Sequence, residues 1–353
     1  MLCGFGVVMC VALGAFAEAE KAAETSAKPR GDSKRELAPP ADIRLVAASV
    51  SDTRGNGPAA HLLVPEGWKV DAQVAWDPGT TALPTARVSI RDEKDGRAIL
   101  LLPRREFVWR YADDPRSPRP LSNARLEQKP PFGDAIVYLE HEVISALHPN
   151  GARAEIQQRE PLPQVARAVA AGGWSTKDSR DVSAARVRTS TTENGETLDS
   201  DVYCVLVQSR TPAAGEELVR WGPELAYMLR ARRGELERAS GLMEAIVASF
   251  RIDPEWWNRQ GGPAIAGDRA REREFEDAAS LRQRVSTALA AHYGRTEIYF
   301  DSRTEREVHL PRGYRQAWAN ARGDYLLSSN PSRDPRTEDP GGEWAELFAV
   351  SAR

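Results

Sequence analysis

The sequence predicts an α+β fold, a mostly antiparallel sheet covered by helices, and three observations predict it. Runs of alternating apolar and polar residues are joined by short turns rich in Gly, Asn and Asp, which favours hairpins and therefore antiparallel pairing. Between these runs stand stretches whose apolar residues recur at helical spacing. After residue 253 the chain becomes a polar helix and then a second, smaller set of short strands. The expected organisation is an α/β domain over 42–253, a helical spacer over 254–294, a small β-meander over 295–333 and a tail over 334–353.

Taken in order, IRLVAASV and AAHLLV read as two strands around the turn RGNGP, and Pro65-Glu66-Gly67-Trp68 as a further turn. In KVDAQVAW, Val70, Ala72, Val74 and Trp76 alternate with polar residues as a half-buried strand requires. ARVSIRD and RAILLLP flank Lys94-Asp95-Gly96 as a hairpin, whereas the prolines and charges of 104–131 predict an irregular loop. In DAIVYLEHEVISALHP the residues Ile136, Leu139, Val143 and Leu147 share a helical face, Asp134 is placed to cap the start and Pro149 stops the run. ARAEIQQRE then predicts a strand and LPQVARAVAAGG a short helix. SAARVRTS and SDVYCVLVQS predict strands around Glu193-Asn194-Gly195, and LVRW and ELAYMLRA two more around a turn at Gly222-Pro223. GELERASGLMEAIVASF closes the domain as a helix with Leu236, Leu242, Ile246 and Phe250 on one stripe.

Beyond Asp253, the segment DRAREREFEDAASLRQRVSTAL alternates Arg with acids, which suits i to i+4 pairs on a solvated face. Phe275, Leu281 and Val285 give it only a thin apolar stripe, so a spacer fits better than a core helix. TEIYFD and EREVHLP, then QAWANA and DYLLSS across Arg322-Gly323, predict the meander. In EWAELFAV the residues Trp344, Leu347 and Phe348 would form one docking helical turn.

The opening seventeen residues, MLCGFGVVMCVALGAFA, form an acid-free apolar run too short to span a bilayer comfortably, with small residues at Ala15, Ala17 and Ala19. They predict a cleaved signal peptide over 1–19, an exported mature protein in the periplasm or outside the cell, and no transmembrane span in the mature chain. Acylation of Cys10 would need a small residue where Met9 stands. The Ala, Glu, Lys, Ser and Pro of 20–41 predict a disordered leader. A net charge of -3 in 353 residues does not favour nucleic acid as a partner, and 41 arginines against seven lysines are interleaved with acids throughout. Cys204, alone in the mature chain, reads as a buried strand thiol.

The combination of HLLVPEGWKV near the start, a helix midway and a closing helix running into IVASFRI resembles the PsbP-like α/β/α family over about residues 43–252. That family comprises exported, lumenal and periplasmic proteins that mostly bind or scaffold, so the resemblance implies binding rather than catalysis. YFDSRTEREVHLPRGYRQAWANARGDYLLSSNP resembles the tail of a group of exported bacterial proteins, a likeness that transfers no activity.

Motifs for catalysis fail on inspection. His141-Glu142 begins like H-E-x-x-H, but Ser145 stands at the fifth position, and His148 lies two turns along the helix from His141. Gly55-Asn56-Gly57-Pro58-Ala59-Ala60 matches the letters of G-x-G-x-x-A but precedes a strand instead of a helix. The residues around Gly173-Trp174-Ser175 lack the second glycine of a nucleophile elbow. No catalytic residue, metal ligand or cofactor follows. The candidate binding residues are aromatic: Trp256, Trp257, Tyr299, Tyr314, Trp318 and Tyr325 concentrate after residue 250 and would suit sugar stacking or protein docking if exposed, or core filling if buried. The expected function is a non-enzymatic binding or scaffold protein of the bacterial cell envelope with a protein or glycan partner. The alternative is an envelope hydrolase acting on glycan or peptide through a pair of carboxylates, marked by a pocket in which two of them lie close together.

Overall fold

The structure is a computed structural model that describes residues 41–52, 57–75, 85–111, 126–148, 154–171, 179–213, 216–260 and 268–350. The expected signal peptide and almost all of the leader, the turn residues Gly55 and Asn56, Trp76, the loop Gly261-Gly262-Pro263 and the side chain of Phe275 lie outside them.

Hairpins build the sheet. β1 (Ile43–Asp52) and β2 (Pro58–Pro65) pair antiparallel, as do β3 (Lys69–Ala75) with β4 (Thr85–Asp92) and β4 with β5 (Arg97–Leu101). Within the stretch expected to be an irregular loop, Phe107–Tyr111 forms β6, and Glu127–Gln128 forms β7 beside it. The loop reading overlooked FVWRY, whose β-branched and aromatic residues pair with the central strand β11. The run after Asp134 is helical as α1 (Ala135–Tyr138), a π-helical turn over Leu139–Ile144 and α2 (Ser145–Leu147), and Asp134 accepts from the Val137 amide at 2.9 Å as the N-cap. β8 (Glu155–Pro161) and α3 (Pro163–Ala170) follow.

The three longest strands are β9 (Ser179–Glu193), β10 (Glu196–Ala213) and β11 (Glu216–Arg232). Asn194 and Gly195, both at positive φ, make the tight turn between the first two. In β10 alternate residues face opposite cores. Val202, Cys204 and Leu206 join Phe107, Tyr138, Leu139 and Trp221 on one face, while Tyr203 and Val205 join α3 and later helices on the other. β11 corrects one expectation: Gly222-Pro223 makes no turn, and the strand runs through it with a bulge. Val205 pairs with Leu225 and Leu206 with Pro223, leaving Glu224 as the extra residue.

α4 (Leu236–Ser249) is followed by β12 (Arg251–Ile252), which pairs with β2, then by α5 (Pro254–Gln260) and α6 (Asp268–Tyr293). α6 departs from the expected spacer. Leu281, Val285 and Leu289 are buried in the main core, where the thin stripe is enough because it meets α3 and α4. β13 (Thr296–Asp301) and β14 (Arg306–Pro311) form a hairpin, as do β15 (Gln316–Ala319) and β16 (Tyr325–Ser328). α7 (Pro335–Glu338) and a 3₁₀ turn at Pro340–Gly342 lead into β17 (Ala345–Ala349), a strand where one helical turn was expected. β17 lies between β13 and β15, an arrangement period-two burial allows because Leu347 is buried while Phe348 faces out.

The second set of strands does not stand apart from the first. β16 pairs with β1 through Leu327↔Ile43 and Tyr325↔Leu45, α4 packs on β14, and the described residues fall within one compact unit. The sheet is mixed, since β1 with β3 and β6 with β7 pair parallel over two residues each. A buried ion network ties its layers. Asp201, fully buried, accepts from Arg188 at 2.7 and 2.8 Å; Arg188 reaches Glu237 of α4, and Arg295 bridges Glu237 and Glu244. No helix among the described residues is long and apolar enough to cross a membrane.

Candidate ligand cavity

The bulge in β11 positions the candidate site. β5 pairs with β11 over Tyr227 to Arg230, and β6 rejoins it over Glu217 to Trp221, so residues 222–226 face a gap crossed by the segment from Leu102 to Glu106. Gly222 permits that crossing, because a Cβ there would lie 2.1 Å from the Arg105 carbonyl oxygen. Glu224, set out by the bulge, receives Arg104 through two hydrogen bonds, from Nε at 2.9 Å and Nη2 at 2.7 Å.

Behind this gap lies a cavity of about 300 Å³. Leu101, Leu102 and Leu225 line it from the sheet, Phe250 and Ile252 from the chain that leaves α4, Trp257 from α5, and Leu281 and Val285 from α6. The spacing of 281, 282 and 285 puts one face of α6 on the cavity, with Arg282 at its edge. Arg251, from β12, and Arg306, at the exposed start of β14, complete the charged part of the lining.

The electrostatics are lopsided. Four arginines line the cavity and Glu224, already held by Arg104, is the one carboxylate among the described lining residues. Arg251 donates to the Ala248 carbonyl at 2.6 Å, the Phe250 carbonyl at 3.2 Å and Gln283 Oε1 at 3.2 Å. Arg282 sits over the Phe250 ring, 4.7 Å from its centroid, and no described residue hydrogen-bonds it. Burial, then the neighbouring Arg251, lowers the Arg282 pKa to about 10, against the opposing field of Glu224. It stays charged at neutral pH.

Of the six aromatic candidates, the structure brings one, Trp257, to the cavity. Trp256 is fully buried and donates its indole N–H to Asp52 at 2.8 Å. Tyr299 is buried with its hydroxyl 3.2 Å from Glu297, Tyr314 is half-buried against the core, and Tyr325 donates to buried Asp301 at 2.8 Å. Trp318 packs with Leu326 and Trp344 under the Arg336 guanidinium. Trp256, Tyr299 and Tyr325 belong to the main core, Tyr314 packs against it, and Trp318 belongs to the small cluster with Leu326 and Trp344. Among the described residues the exposed aromatic side chains are Tyr111, on β6, and Phe300 and Phe348, cross-strand partners on β13 and β17.

For the hydrolase alternative, the described lining residues of this cavity include one carboxylate, Glu224, and no pair. Elsewhere, burial raises the Glu244 carboxyl above its usual range, but Arg295 holds it inside the ion network. Cys204 is a fully buried strand thiol whose pKa is pushed up by desolvation. His141 stacks on Phe132, and no group of three potential metal ligands occurs among the described residues.

Sequence reading missed Arg251, Arg282, Arg306 and Glu224. Two signals were available: an arginine next to the thin apolar stripe of Leu281 and Val285 on a helix, and Pro-Glu inside a strand-like run, which signals a bulge.

No protein family matches the chain, and no curated protein is significantly similar to it. Among solved structures it is similar to LpqN, involved in cell envelope biogenesis of Mycobacterium tuberculosis, at 13% identity over 60% of this chain and 92% of LpqN, with a TM-score of 0.21. It is also similar to cyanobacterial PsbP (CyanoP) from Synechocystis sp. PCC 6803, at 15% identity over 59% of this chain and 93% of that one, with a TM-score of 0.21. Overlays this loose carry no weight for function.

Proposed function

We propose that the protein is an exported, non-catalytic binding protein of the bacterial cell envelope that takes a small ligand into the cavity beside the Glu224 bulge. One observation carries the reading: a cavity of small-molecule size, walled by Leu, Ile, Val, Phe and Trp side chains, with polar groups concentrated on its arginines. The one carboxylate among its described lining residues, Glu224, is ion-paired to Arg104, which favours binding over acid and base chemistry there. The address rests on the signal-like run at the N-terminus.

The test is a titration of the mature chain with the apolar fluorophore Nile red. Saturable binding at one site is expected, with loss of that site in Val285→Phe, whose ring fills the cavity while the far-ultraviolet circular dichroism stays unchanged. Non-saturating fluorescence that the substitution does not alter would overturn the reading.

A further inference from the structure

We propose that the ligand is an amphipathic anion, a single apolar chain ending in a carboxylate or comparable head group, seated with its head on Arg282. This rests on the binding reading above and adds the class of ligand.

A guanidinium partly withdrawn from solvent, as that of Arg282 is, ordinarily pairs with a carboxylate, because a poorly solvated charge without a partner is costly. Among the described residues Arg282 lies over the Phe250 ring and is hydrogen-bonded by none, with Glu224 acting on it through its field alone. The obvious internal partner, Glu224, is held by both nitrogens of the Arg104 fork. Arg251 is turned to backbone carbonyls and Gln283, and no described carboxylate pairs with Arg251 or Arg306. Three cations therefore face the cavity without a counterion among the described residues. An anionic group entering there accepts charge-assisted hydrogen bonds from Arg282 and lowers the mutual repulsion of Arg282 and Arg251.

The wall decides what else the anion must carry. Leu281 and Val285 line the cavity beside Arg282 on α6, and Leu101, Leu225, Ile252 and Trp257 surround the rest. A free inorganic anion leaves that surface wet and uncovered, whereas a sugar sets most of its hydroxyls against the Leu, Ile and Val side chains, which cannot hydrogen-bond them. An apolar chain covers the surface and gains about 0.8 kcal/mol per buried methylene. The volume of about 300 Å³ lies at the lower limit for small-molecule sites, which suits one chain of moderate length and excludes a two-chain lipid lying wholly inside.

The experiment displaces Nile red from the mature chain with dodecanoate, dodecan-1-ol and dodecylammonium, each below its aggregation concentration and at one ionic strength. Dodecanoate should bind roughly tenfold or more tightly than the alcohol, the scale of one charge-assisted hydrogen bond, and the ammonium most weakly. Arg282→Gln should erase the preference for dodecanoate while keeping the alcohol's affinity, and Arg306→Gln, at an exposed position, should reduce it in part. Equal affinity for acid and alcohol in the wild-type protein, or a preference untouched by Arg282→Gln, would refute the anion inference and leave the binding reading standing. Failure of all three, and of the dye, would remove both. Should Arg282→Gln not fold, the wild-type head-group series and Arg306→Gln decide.

Discussion

His309 carries a residue-scale consequence beside the cavity. The ring is buried on β14, its Nδ1 has no partner among the described residues, and its Nε2 lies 3.3 Å from Gln283, which also accepts from Arg251. Burial, then the field of Arg251, lowers its pKa to about 4 from an ordinary value of 6.5. The folded state therefore holds the neutral ring, and the unfolded chain binds the extra proton between these two values. Stability from this group is present above pH 6.5 and is lost as pH falls toward 4, by about 2 kcal/mol at pH 5. Urea denaturation at pH 7 and pH 5 should show His309→Gln losing less stability than the wild-type protein across that interval, by about that amount; equal losses would mean the ring is not held neutral. His309 left no signal in the sequence, and for the cavity arginines the one signal, an arginine next to the thin apolar stripe of α6, was outweighed by its surroundings. An arginine in an Arg-rich, acid-rich segment looks solvated, and only packing against α4 and the sheet reveals that Arg282 has been drawn inward. The capping role of Asp134 and the buried Cys204 thiol were legible, since each depends on residues close in sequence.

At the scale of elements, local pattern gave most strands and helices and failed where two signals conflicted. Gly222-Pro223 has the composition of a turn, yet its neighbours on both sides pair with β10, and the conflict resolves as a bulge within one strand. The same geometry makes Gly222 a sensitive position. Its φ lies outside the left-handed region, so glycine is needed for space alone. A methyl group 2.1 Å from the Arg105 carbonyl must push the segment from Leu102 to Glu106 away from β11. Gly222→Ala should cost about 1 to 3 kcal/mol, as overpacking usually does, and should weaken Nile red binding by moving Arg104 relative to Glu224. Thermal melts and the dye titration check both parts, and a variant with wild-type stability would show that the crossing segment yields freely. The misread strand β17 has a related cause: Trp344, Leu347 and Phe348 satisfy helical spacing, but Leu347 is buried and Phe348 exposed on an alternating strand. Spacing over so few residues cannot choose between the two periods.

At the scale of the whole molecule, the sequence reading left open whether the meander packs on the first domain, and the described residues from 41 to 350 fall within one compact unit. Long-range pairing such as β16 on β1 leaves no trace in local pattern, so the chain looked divisible at Asp253. The structure argues otherwise on energetic grounds. Residues beyond that point supply Trp256, Trp257, Leu281, Val285, Leu289 and Leu310 to the main core, each buried to 7% exposure or less. Fully burying a large apolar side chain stabilises by about 1.5 to 3 kcal/mol, and folded domains hold only about 5 to 15 kcal/mol in all. Removing six such groups, together with the edge pairing of β1, takes away at least as much as the fold can spare. A chain spanning residues 20–253 should therefore lack a cooperative urea transition and a near-ultraviolet circular dichroism signal, and should lose the cavity, because Trp257, Leu281, Arg282, Val285 and Arg306 all lie beyond the cut. A truncated chain that unfolds cooperatively with a midpoint close to that of the mature protein would show the first 253 residues to be an independent domain. It would also recast the contacts of α6 and β16 as docking between separable parts.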